Sequence, residues 1–106
     1  MLARFELEWL LGDDRDVIIS VSYHAPESPP DIKIAPVITG AKWKLVHILS
    51  GDMEAEGPCT VDLSEKDGCT YLAAKVCPLS KGEYNLRFTF EAGENKRVAE
   101  VIMHVR

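Results

Sequence analysis

Cys59, Cys69, Cys77, His24, His47 and His104 are the side chains of this sequence best suited to chemistry. Tetrahedral zinc prefers thiolate and imidazole ligands, so the three cysteines with one histidine such as His47 would suffice for a Cys3His set. Their spacing argues against it. No Cys-x-x-Cys pair occurs, and if Ser64 pairs with Cys69 across a turn, Cys59 falls opposite Ala74 and out of reach of Cys69. A cysteine nucleophile needs an imidazole within hydrogen-bond reach to lower its pKa, and no local signature surrounds any of the three histidines. No Gly-x-Ser-x-Gly elbow marks a serine nucleophile. The expectation is a chain without catalytic residues, metal or cofactor, its thiols packed as small hydrophobes. A Cys- or metal-dependent enzyme is one alternative.

Two further constellations have a chemical reading and a plainer one. Asp13, Asp14 and Asp16, with Asp52, Glu54 and Glu56, would offer oxygen ligands to calcium if their loops met, but neither run has an EF-hand pattern. They read as solvated turns. Lys42-Trp43-Lys44 would make a cation-and-aromatic patch, and with Tyr71 a stacking platform for a carbohydrate or small ligand. The plainer reading puts Trp43 in the core with its lysines on the opposite pleat.

These residues are carried by 106 positions, 46% of them apolar and 27% charged, which suits one folded domain over 1–106. Seventeen acidic against 12 basic residues give a formal charge of -5, which disfavours nucleic acid as a partner. Uninterrupted apolar runs such as Trp9-Leu10-Leu11 and Tyr71-Leu72-Ala73-Ala74 fall far short of the roughly 20 residues of a membrane span. Glu6 and Glu8 also break any signal-peptide pattern. An odd number of cysteines leaves at least one thiol unpaired, which points to a reducing, cytoplasmic setting.

Alternation with a period of two recurs along the chain. Phe5, Leu7, Trp9 and Leu11 share one face, and after the Gly12–Arg15 turn Val17, Ile19, Val21 and Tyr23 share another. These two strands form a hairpin or bridge two sheets. Ala25–Pro36 holds four of the six prolines and reads as a loop or edge, with Ile32 and Ile34 as a short extended piece. Thr39-Gly40-Ala41 reads as a turn and Lys42–Leu49 as a strand, with Trp43, Leu45 and Leu49 inward and Val46 and Ile48 outward. Ser50–Pro58 reads as a long acidic connection. Cys59, Val61 and Leu63 mark a short strand, and Thr70–Cys77 returns antiparallel after the Glu65–Gly68 turn, although Ala73, Ala74 and Lys75 also suit a short helix. Tyr84, Leu86, Phe88 and Phe90, then Ala99, Val101, Met103 and Val105, form a final hairpin.

Pro78-Leu79-Ser80-Lys81-Gly82-Glu83-Tyr84-Asn85-Leu86-Arg87-Phe88 resembles the penultimate strand of immunoglobulin-like and fibronectin-type domains, where a Leu-x-x-Gly-x-Tyr entry feeds an alternating strand and a final hairpin partner; with that partner the likeness covers about a quarter of the chain. The resemblance implies an all-β, immunoglobulin-like antiparallel sandwich of about seven or eight strands, and Tyr84 as a tyrosine corner whose hydroxyl returns to upstream backbone. It implies no activity.

Function is then expected on surfaces. Outward Ile18, Val46, Ile48 and Ile102 would form an apolar patch if they cluster, and Pro29, Pro30, Ile32 and Ile34 a pre-extended docking segment. Together they predict a non-enzymatic protein-interaction module whose partner is another protein or a second copy, joined through an edge strand or a second apolar face.

Overall fold

The computed structural model describes residues 5–23 and 33–106. The expected docking residues Pro29, Pro30 and Ile32, and His24, lie outside the described residues. Eight strands are formed: β1 (Phe5–Trp9), β2 (Asp16–Val21), β3 (Ile38–His47), β4 (Met53–Pro58), β5 (Thr60–Ser64), β6 (Cys69–Lys75), β7 (Gly82–Ala92) and β8 (Asn95–Val105). They make a five-stranded sheet in the order β1-β8-β7-β3-β4, packed on a three-stranded sheet in the order β2-β6-β5. The protein is an all-β sandwich.

The alternating positions supply its core. Leu45, Leu72, Tyr84, Leu86, Phe88 and Met103 are fully enclosed between the sheets. Each such side chain contributes roughly 1.5–3 kcal/mol on leaving water. Phe88 is opposite Trp43 on β3 and Ala99 on β8, and Leu86 is opposite Leu45 and Val101. β7 is therefore the central strand of the larger sheet and carries its largest inward side chains.

Of the two arrangements expected for the first two strands, the bridge is formed: β1 lies in the larger sheet and β2 in the smaller. Several other expectations are corrected. β1 runs parallel to β8, from Phe5 opposite Val101 to Trp9 opposite Val105. No tight hairpin links those two strands, so nothing local imposes an antiparallel direction. Thr39-Gly40-Ala41 is no turn. It lies within β3 as an irregularity in the pairing with β7, with Gly40 at φ 63° in the left-handed region that glycine enters without steric cost. The supposed connection Ser50–Pro58 is mostly strand β4, reached through a tight turn after His47. Leu49 belongs to that turn and is solvent-exposed. Residues 69–75 are strand, Ser64 pairing with Cys69 as the turn chemistry required. Ile34 forms only an isolated antiparallel bridge to Tyr23.

Candidate interaction surface

Alternation on each strand sends every second residue to the outer face of its sheet. Register lines them up across the larger sheet. Val46 of β3 is opposite Asn85 of β7, Asn85 is opposite Ile102 of β8, and Ile102 is opposite Glu6 of β1. On the other side Val46 is opposite Met53 of β4. The outer face thus carries one transverse row, largely uncharged, with Val46 and Ile102 half-buried on either side of Asn85. Half-exposed Met53 extends this apolar ground onto β4, and half-exposed Ile48 lies in the turn that joins β3 to β4.

Charges flank the row on both sides. Arg87 is opposite Glu100, its Nε 3.1 Å from Oε1, and Glu83 is opposite His104, whose Nδ1 it contacts. On β7 the order is acid, amide, base; on β8 it is acid, isoleucine, imidazole. The four groups alternate around Asn85 and Ile102 like the corners of a checkerboard. At its centre Asn85 Oδ1 is shielded from solvent and has no hydrogen-bond partner among the described residues. A buried amide oxygen left unpaired costs about 1–3 kcal/mol.

Ile18 is 61% exposed but sits on β2, on the outer face of the other sheet beside Ala73. The structure therefore sets Val46 and Ile102 in one row with β7 between them, puts Ile48 in the turn after β3 rather than on that strand, and places Ile18 on the opposite side of the sandwich. Ile34 is exposed near the chain's Tyr23 bridge, away from both patches. Trp43 and Tyr71 are not assembled either. Trp43 is only 7% exposed, its indole lies against Gly57, and its Nε1–H donates to the Pro58 carbonyl at 3.1 Å. Tyr71 is on the outer face of the three-stranded sheet, donating to Asp67 at 3.0 Å. Hydrogen bonding with Cys69, then with Asp67, holds its hydroxyl well above the usual range.

One polar cluster was not foreseen. A pairing shift between Leu45 and Val46 leaves Glu54 as the extra residue of β4, a bulge that turns its carboxylate inward. Its side chain is 9% exposed and fully engaged. Oε1 accepts from Tyr84 Oη and from His47 Nε2, each at 3.1 Å, and Oε2 accepts from the Leu79 backbone at 3.1 Å. Tyr84 Oη is also 3.0 Å from the Ser80 carbonyl and 2.9 Å from Ser80 Oγ. The tyrosine hydroxyl has one proton, so it serves the carboxylate or the carbonyl while Ser80 Oγ–H supplies a further donor. Burial, with the nearby Glu54 carboxylate, holds Tyr84 above the usual range and hence protonated. Ser80 lies against Tyr84 and His47 against Glu54, so the cluster orders no nucleophile onto a base. It ties β3, β4 and the loop before β7 together.

The thiols are separate. Cys59 packs against the core, Cys69 is buried on β6 and Cys77 is exposed after β6; all three are free. Burial pushes the Cys59 thiol up to about 11, away from the thiolate that reactivity requires. Asp13 accepts from the Leu10 backbone at 3.1 Å and lies 3.6 Å from Arg15, so it serves the β1–β2 turn. Among the described residues no three His, Cys, Asp or Glu side chains converge as a metal site, and no helix is long and apolar enough to cross a membrane. No protein-family model matches the chain, and no curated protein is similar to it in sequence.

Proposed function

We propose that this chain is an immunoglobulin-like sandwich that serves as a non-enzymatic protein-interaction module in the cytoplasm, docking through the outer face of its five-stranded sheet. Lettered B, C, C′, D, E, F and G in chain order, β2 to β8 fall into B-E-D and G-F-C-C′ orders, the arrangement of that fold. The Tyr84 bond to the Ser80 carbonyl at the start of β7, and the buried Trp43 on β3, occupy the places of a tyrosine corner and a strand-C tryptophan. Three free thiols suit a reducing compartment.

The observation that carries the functional reading is the Val46–Asn85–Ile102 row. A solvated sheet face is expected to be mostly polar, yet this row places a branched aliphatic on each side of Asn85 and Met53 beside Val46, with exposed Ile48 in the adjoining turn. The double substitution Val46→Asp with Ile48→Asp tests it. Both residues lie outside the core, so the thermal transition should be kept while association, read by sedimentation and partner pull-down, is lost. Unchanged association in both assays rejects the reading.

A further inference from the structure

We infer that the occupant of this face is a second copy of the same chain, laid antiparallel about a two-fold axis running along the Val46–Asn85–Ile102 row. The inference rests on the interaction reading above and names its partner.

Any partner that covers Val46 and Ile102 also covers Asn85, the polar residue between them. Against an apolar surface that amide would lose water and gain nothing. Against another Asn85 it gains a match: Oδ1 is shielded in the single chain but has no bond to lose, so a turn of the amide brings it to the Nδ2 of its counterpart across an axis through the residue. Asn85 therefore favours a copy of itself.

The charges then choose the direction of the axis. Rotation about the row keeps each strand opposite its own copy and exchanges positions two residues before and after the centre. Arg87 comes opposite the partner's Glu83, and Glu100 opposite the partner's His104. Both meetings join a donor to a carboxylate. An axis along β7 would instead set Arg87 against Arg87 and Glu83 against Glu83, like on like. An axis between β7 and β8 would satisfy the charges but set Asn85 against Ile102. Rotation about the row alone satisfies the amide and the charges together, within the roughly 30° that sheet twist imposes on packed faces. Among the described residues its one like-charged meeting is Glu6 with its copy, at the rim, where the side chain is 72% exposed and lies 3.7 Å from His104 Nε2, toward which it can turn.

The area available about this axis suits a weak dimer. With strands about 4.8 Å apart and about 3.4 Å per residue, the part of the face that meets its copy, about three residues to each side of the row, offers on the order of 500 Å². Two such faces bury about 1,000 Å² in total, the size of a small, transient interface.

Complementary charge reversal tests the geometry. In sedimentation velocity over about 10–300 µM, a range that captures micromolar dissociation constants, the wild-type chain should show a concentration-dependent dimer. Arg87→Glu alone, or Glu83→Arg alone, should weaken it by roughly tenfold or more, because each places like charges together twice. Mixed in equal amounts the two variants should associate again, since both meetings in the mixed dimer are then of opposite sign. Thermal melts confirm that each variant is folded. Should Glu83→Arg fail to fold, Asn85→Asp replaces it: two carboxylates on the axis should abolish the dimer. A wild-type chain that stays monomeric over the range overturns the inference, as do two variants that associate no better mixed than apart. A monomer that binds a different protein, or anionic vesicles, also overturns it. If that protein binding is lost in the Val46→Asp, Ile48→Asp variant, the broader reading stands and only the second copy is excluded.

Discussion

The Tyr84 hydroxyl lies 3.1 Å from the carboxylate of Glu54, a residue thirty positions earlier in the chain, and is its link to the start of β7. The carboxylate is nearly excluded from water, so its charge depends on the donors around it. Tyr84→Phe keeps the ring in the core and removes one donor. It should cost about 1–3 kcal/mol in denaturant unfolding. Glu54→Gln should cost less when Tyr84 is already Phe than when it is intact, and a double-mutant cycle measures that coupling.

Gly57 carries a second prediction. A Cβ there would sit 3.0 Å from three atoms of the Trp43 indole, which its bond to the Pro58 carbonyl holds in place. Gly57→Val should therefore destabilise by roughly 1–3 kcal/mol through overpacking, with a shifted tryptophan emission maximum. Stability equal to wild type would mean that the indole is free to move.

The third prediction concerns alkaline pH. The Cys59 thiol rises from its ordinary 9.0 to about 11 in the folded chain, because burial penalises the thiolate. A group that holds its proton more tightly when folded contributes stability that is complete below the unfolded pKa and is lost as pH rises through the folded one. Stability should thus decline between pH 9.0 and about 11. Tyr84, raised for the same first cause, adds to the decline above its ordinary value of 10.0. Melting temperatures from pH 8 to 11 should fall less steeply in Cys59→Ala than in wild type; identical slopes would remove Cys59 as a contributor.

Thiol chemistry gives a fourth. Cys77 is exposed, Cys69 is buried, and Cys59 is half-buried with a raised pKa. Brief treatment of the native protein with a maleimide at neutral pH should label Cys77 first, and peptide mapping should find the other two modified only after denaturation.

The elements most legible in the sequence are those whose two faces differ most. β7, and β8 from Ala99 onward, alternate because one side meets the opposing sheet and the other meets water; Asn95–Val98, all exposed, extend β8 beyond what its apolar residues mark. β4 was illegible for the opposite reason. As an edge strand it needs no run of branched hydrophobes, and its charges and Gly57 look like a connection. Gly40 reads as a turn because a bulge and a turn demand the same backbone freedom. The candidate surface was legible in part: alternation shows that Val46, Ile102 and Ile18 all point away from the core, but only strand pairing reveals which of them share a sheet. The Glu54 cluster was not legible, since one bulge turns a residue of an acidic run inward.

Because β1 docks on β8, with Phe5 opposite Val101, the border of the larger sheet joins residues from opposite ends of the sequence. β1 is made before every other strand of the sheet that it joins. Until β8 has left the ribosome, the apolar side chains Leu7 and Trp9 have no strand to lie beside, and closing so large a loop is slow.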